Sequence, residues 1–157
     1  LLNISPKANG IIPERQKKVL RGLGDWLDLH GEAIYDTRPW KTFGEGPTRL
    51  EKGGHFVGIL EYTAEDIRYT RSKDGETLYA IVLHWPGANQ HVTMESVSLD
   101  NLPDGLDIQE VSLMGYDGDI DWELDEGGLT VTTPDKKVAE HAIVFKVEAA
   151  DSLMGNN

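Results

Sequence analysis

The hydrophobic period of this chain changes once, and the change fixes most of what it can fold into. Before about residue 40 the apolar residues recur at helical spacing. From about His55 onward they alternate with polar residues in short runs separated by turn signals. Asp66 to Arg71 alternates. Lys73-Asp74-Gly75-Glu76 is a tight hairpin turn of the Asp-Gly kind. Thr77 to Trp85 is apolar on both faces, which predicts a central strand. Pro86-Gly87-Ala88-Asn89 is the next turn. Strands are then expected over His91–Leu99 and Asp107–Leu113, over Asp119–Leu124 with Ile120, Trp122 and Leu124 inward, over Leu129–Thr132, and over Glu140–Val147. Short strands at roughly 8–12-residue spacing indicate an antiparallel β-sandwich.

The upstream part reads differently. Leu1-Leu2-Asn3-Ile4 is an apolar run, Ser5 to Gly10 is turn chemistry, and Pro13 opens a helix that Gly31 closes after His30. Val19, Leu20, Leu23, Trp26 and Leu27 form one apolar helix face that needs a partner. A strand over Leu1–Ile4 also needs a neighbour for its backbone groups, and nothing upstream in the sequence supplies one. The expected fold class is mainly β: an antiparallel β-sandwich preceded by one amphipathic helix and a remnant strand. The expected division is 1–37 for strand and helix, 38–54 for a Gly- and Pro-punctuated linker, 55–149 for the sandwich and 150–157 for a flexible tail.

Charge and motifs exclude several functions. The net charge of −12 repels nucleic-acid phosphates and anionic lipid surfaces, so neither nucleic acid nor membrane is an expected partner. With no cysteine there is no disulfide and no thiolate metal site. The acidic run from Asp117 to Glu123 begins like a calcium loop, but the required glycine and glutamate positions hold Trp122 and Gly128. The five histidines lack zinc-motif spacing; His84 and His91 flank a turn and are expected to pair across strands. No nucleophile elbow, P-loop or dinucleotide fingerprint is present. No metal and no cofactor is expected.

Four segments carry a family resemblance: Leu1 to Glu14, Gly24-Asp25-Trp26-Leu27, Gly31-Glu32-Ala33-Ile34-Tyr35-Asp36-Thr37-Arg38-Pro39-Trp40, and Phe43-Gly44-Glu45-Gly46-Pro47. With Thr63 to Tyr69, Leu78 to Val82 and Trp85-Pro86-Gly87, they resemble, in order, the end of the catalytic barrel and the following β-sandwich of the family 29 α-L-fucosidases. Ser5 and Asp36 depart from the smaller residues of that pattern. The resemblance implies a retaining glycosidase whose aspartate nucleophile and acid/base lie upstream of Leu1, so no catalytic residue is assigned to this chain. Remnants of about forty barrel residues cannot close a barrel of roughly 250.

The implied function is a C-terminal sandwich that supports the catalytic barrel and helps position fucosylated glycans, without catalysing hydrolysis itself. The alternatives are a stand-alone carbohydrate-binding module and a fucosidase assembled by homo-oligomerisation. The implied partners are the catalytic barrel and, through the parent enzyme, a fucosylated glycan. The candidate substrate contacts are Asn3 behind the barrel strand, Glu45 in the glycine loop, and the rings of Trp40 and Trp85. A binding module needs Trp40 or Trp85 on an exposed platform. Hydrolytic activity would point first to Glu32, Asp36 and Glu45. A secreted, periplasmic or cytoplasmic bacterial parent is compatible with the sequence.

Overall fold

A computed structural model describes residues 3–49 and 60–154. Among the described residues, one helix, α1 (Glu14–His30), precedes eight strands: β1 (Arg38–Glu45), β2 (Ile67–Arg71), β3 (Thr77–Val82), β4 (His91–Met94), β5 (Ile108–Leu113), β6 (Trp122–Leu124), β7 (Leu129–Thr132) and β8 (Ile143–Ala149). A five-stranded sheet has the order β1-β2-β3-β8-β5, and a three-stranded sheet has the order β4-β7-β6. All pairings are antiparallel. The core lies between the sheets. Leu78, Ala80, Val82, Phe145 and Val147 of the larger sheet share one buried cluster with Val92, Met94, Leu129 and Val131 of the smaller.

The central strand β3 is apolar on both faces for a visible reason. Its even-numbered residues meet the opposite sheet, while Tyr79 and Ile81 meet a second cluster formed with Ala33, Val144 and Trp26. The sandwich thus has α1 as a third layer over part of its outer face. The β2–β3 hairpin turns at Gly75, whose φ of +86° suits a residue without Cβ. Trp122 is directly opposite buried Val131, which puts it on the inward face as expected, but at the edge of the smaller sheet its ring stays 37% exposed.

Three expectations need correction. Residues 38–45 are an edge strand rather than part of a linker. Pairing steps from Pro39↔Thr70 to Gly44↔Arg68, so residues 40–43 bulge opposite Tyr69, and the bulge hides the alternation. Residues 50–54 of the expected linker lie outside the described residues. The tail is tied down as far as it is described: Leu153 is fully buried, and its N–H donates to the Gly75 carbonyl at 2.9 Å. The helix ends at His30 and Gly31 caps it, as expected; Gly31 is right-handed (φ −59°) and begins a 3₁₀ turn, Gly31–Ala33. Leu1 and Leu2 lie outside the described residues, and Asn3 and Ile4 belong to no strand.

The helix contacts the sandwich through the C-terminal end of its apolar face and leaves the N-terminal end uncovered. Trp26 Nε1 donates to the Ala142 carbonyl at 2.8 Å, Leu29 lies against Gly115, and His30 is fully buried with its ring stacked on Trp26. Ala142 immediately precedes β8, and Gly22, one turn before Trp26, lies close to His141. Val19 and Leu23 of the expected buried face are 58% and 44% exposed.

Candidate functional site

The segment that leaves β1 holds the candidate residue Glu45. Its two carboxylate oxygens accept the Glu95 and Ser96 N–H groups, each at 2.8 Å. Glu45 therefore staples the larger sheet to the chain just after β4 in the smaller one, across fifty positions of sequence. Buried Tyr69 lies near this carboxylate. Burial, and then the Glu45 charge, push its hydroxyl far above the usual range, and among the described residues the oxygen makes no well-formed hydrogen bond. A cleft of about 680 Å³ opens beside the staple, lined by Arg49, Glu65, Gln90, His91 and Glu95 among others.

The other candidates are not gathered around that cleft. Trp40 is 4% exposed and packs edge-on against Tyr69, with ring centres 5.1 Å apart. This corrects its assignment as a stacking platform: in the bulge of β1 the ring turns into the core. Trp85 is half-buried against the core and lines a different depression with His84, Lys137 and His141. Asn3 is exposed, in a shallow groove beside Gln16 and Val19. His84 and His91 do not pair across strands, because the intervening turn carries the chain from one sheet to the other.

Glu32 and Asp36, the other carboxylates near the expected linker, are also engaged. Glu32 accepts the Tyr79 hydroxyl at 2.8 Å and pairs with Lys146 at 3.2 Å. Burial raises its pKa, but the Tyr79 and Lys146 contacts outweigh burial and hold it below the usual range. Thr70 Oγ1 donates to the Ala33 carbonyl at 2.6 Å. Asp36 pairs with Lys73 at 2.5 Å. These bonds fix the turn after α1 to the outer sheet face. They act as structural ties between that turn and the sandwich.

Sequence reasoning missed Asp66. It is fully buried, and its carboxylate accepts the N–H and hydroxyl of Thr48 (3.0 and 2.7 Å) and those of Thr63 (2.8 and 3.1 Å). Burial raises its pKa, and these bonds outweigh burial to lower it. The local signal was present: a threonine three residues before an aspartate invites a side-chain-to-backbone turn.

Comparison with known proteins follows the same division of the chain. The family model described as the α-L-fucosidase C-terminal domain matches residues 61–148, and the α-L-fucosidase model matches residues 1–32. The tissue α-L-fucosidase of Homo sapiens is 31% identical over 135 residues, covering 85% of this chain and 24% of that protein. The α-L-fucosidase of Branchiostoma floridae is 32% identical over 135 residues, with the same coverage of both chains. The crystal structure of a Thermotoga maritima α-fucosidase in complex with fucose superposes with a TM-score of 0.63 at 26% identity, covering 94% of this chain and 30% of that one. The chain spans about a quarter of the length of these curated relatives.

Proposed function

The chain belongs to the α-L-fucosidase family as its C-terminal domain, and on that premise we propose that it serves as the non-catalytic support of a fucosidase barrel. The supporting observation is the divided attachment of α1. Its C-terminal half and the turn behind it are tied to the sandwich by the Trp26–Ala142, Ala33–Thr70 and Glu32–Tyr79–Lys146 contacts. Its N-terminal half presents Val19 and Leu23 outward, with exposed Ile4 and Ile11 alongside in sequence. An amphipathic helix anchored at one end, with its apolar face uncovered at the other, is suited to lie between two bodies. The second body in this reading is the catalytic barrel. The sandwich then fixes the position of the barrel's last helix, and the substrate of the whole enzyme is a fucosylated glycan.

The test is hydrolysis of an aryl α-L-fucoside by the purified 157-residue chain, read across a size-exclusion peak. The expected result is no hydrolysis in any fraction. Hydrolysis that follows the chain's own peak would overturn the reading. Activity confined to an oligomer peak would instead assign the exposed helix face to self-association.

A further inference from the structure

The bulge in β1 displays a ring that the core does not use. Phe43 is 72% exposed and Tyr62 is 39% exposed, and the Arg68 guanidinium lies 5.8 Å from the first ring centre and 5.7 Å from the second. Arg68 alternates with Thr70 along β2, and Thr70 bonds Ala33, so this cluster is on the outer sheet face.

The cluster is held rigidly. Arg68 donates to the carbonyls of Ile67 (2.8 Å) and Glu45 (3.2 Å), while the Glu45 carboxylate is stapled to the other sheet. Gly44 lies so close to β2 that an added Cβ would come within 2.4 Å of the Ile67 carbonyl oxygen and 2.8 Å of Arg68 Cδ. Phe43 is thus presented on backbone that has little freedom to fold the ring away. A phenylalanine this exposed forgoes most of the gain from burial, and its ring gives the Arg68 cation a face to rest on.

We propose that Phe43, Arg68 and Tyr62 form a saccharide platform, in which a pyranose of a neutral oligosaccharide stacks its C–H face on an aromatic ring and the guanidinium donates to its hydroxyls. This rests on the reading that the domain serves a glycan-processing enzyme. A sugar fits better than a protein partner because the apolar patch is small and divided by a charge. Exposed Lys41, Arg49 and Glu65 come from the same segments, whereas a stable protein interface needs roughly 800 Å² per side with an apolar centre.

The experiment is a titration of the isotope-labelled 157-residue chain with 2′-fucosyllactose and with lactose, followed by backbone amide NMR. An aryl fucoside hydrolysis assay on the same sample judges the support reading separately. The expected result is saturable shifts at Phe43 to Glu45 and Ile67 to Tyr69, with a Kd of about 1–10 mM. F43A and Y62A are expected to weaken binding about fivefold each, and F43W to retain it. Urea midpoints of the variants confirm that they remain folded. Absence of saturable shifts, or unchanged affinity in F43A, overturns the platform. Sugar-independent broadening of these amides that grows with protein concentration and vanishes in F43A also overturns it, by assigning the patch to protein contact.

Discussion

Replacing Asp66 tests whether a buried carboxylate organises the entry to β2. The side chain is inaccessible to solvent and accepts four hydrogen bonds from Thr48 and Thr63. Asp66→Asn preserves the shape. Its amide oxygen can replace the oxygen that serves Thr63 and the Thr48 hydroxyl, but its NH₂ then faces the Thr48 N–H, donor to donor. The remaining bonds lose their charge assistance. A lost bond to a charged acceptor costs ~1.5–3 kcal/mol, so the expected destabilisation at neutral pH is about 2–3 kcal/mol. Asp66→Ala leaves two backbone donors unpaired and is expected to cost about 3–4 kcal/mol.

The pH dependence has a definite sign. Because folding lowers the pKa of Asp66, its contribution is complete above the ordinary carboxylate value and disappears as pH falls through the lower folded value. Asp66→Asn has no such group to lose. The stability gap between wild type and variant is therefore widest at neutral pH and shrinks below about pH 4. Urea unfolding at about pH 7 and pH 3.5, with equal m-values in both proteins, measures it. A cost below ~0.5 kcal/mol at neutral pH, or a gap unchanged by acid, would refute the argument.

Two further perturbations probe the ties described above. Tyr79→Phe removes one donor from Glu32 but leaves Lys146; it should cost about 1 kcal/mol and speed amide exchange in Gly31–Ala33 more than in β7. Gly44→Ala places a methyl group against the Ile67 carbonyl; it should destabilise the chain by about 1–3 kcal/mol and shift the amide resonances of β1 and β2, read by urea unfolding and NMR.

The sandwich was legible because its strands follow the simplest rule available, alternation bounded by turn residues. β3 even announced its two covered faces by lacking polar positions. β1 was not legible, since its proline, glycine and four-residue bulge erase the period from which a strand is read. The helix stripe was visible, but amphipathicity shows that a face wants cover and not what provides it; the sandwich took Trp26 and His30 and left Val19 outside. Glu45 stood out only as a polar residue in a glycine loop. Its acceptors' role became apparent when the fold brought Glu95 and Ser96 beside it, a contact between distant positions that local spacing does not encode. Trp40 illustrates the converse, an aromatic at a segment boundary that folding turned inward.

The attachment of α1 also bears on how such enzymes divide and recombine. The helix falls in the α-L-fucosidase model over residues 1–32 and outside the C-terminal domain model over residues 61–148, yet it shares hydrogen bonds and a buried cluster with the sandwich. The inherited seam and the mechanical seam therefore fall at different places. A chimera that joins this sandwich to a foreign barrel immediately after residue 32 would discard Trp26 and His30 and leave the outer sheet face bare. A junction in the turn around Ser5–Gly10 carries the helix across with its own foundation, so that the grafted barrel must match the helix rather than the sheet.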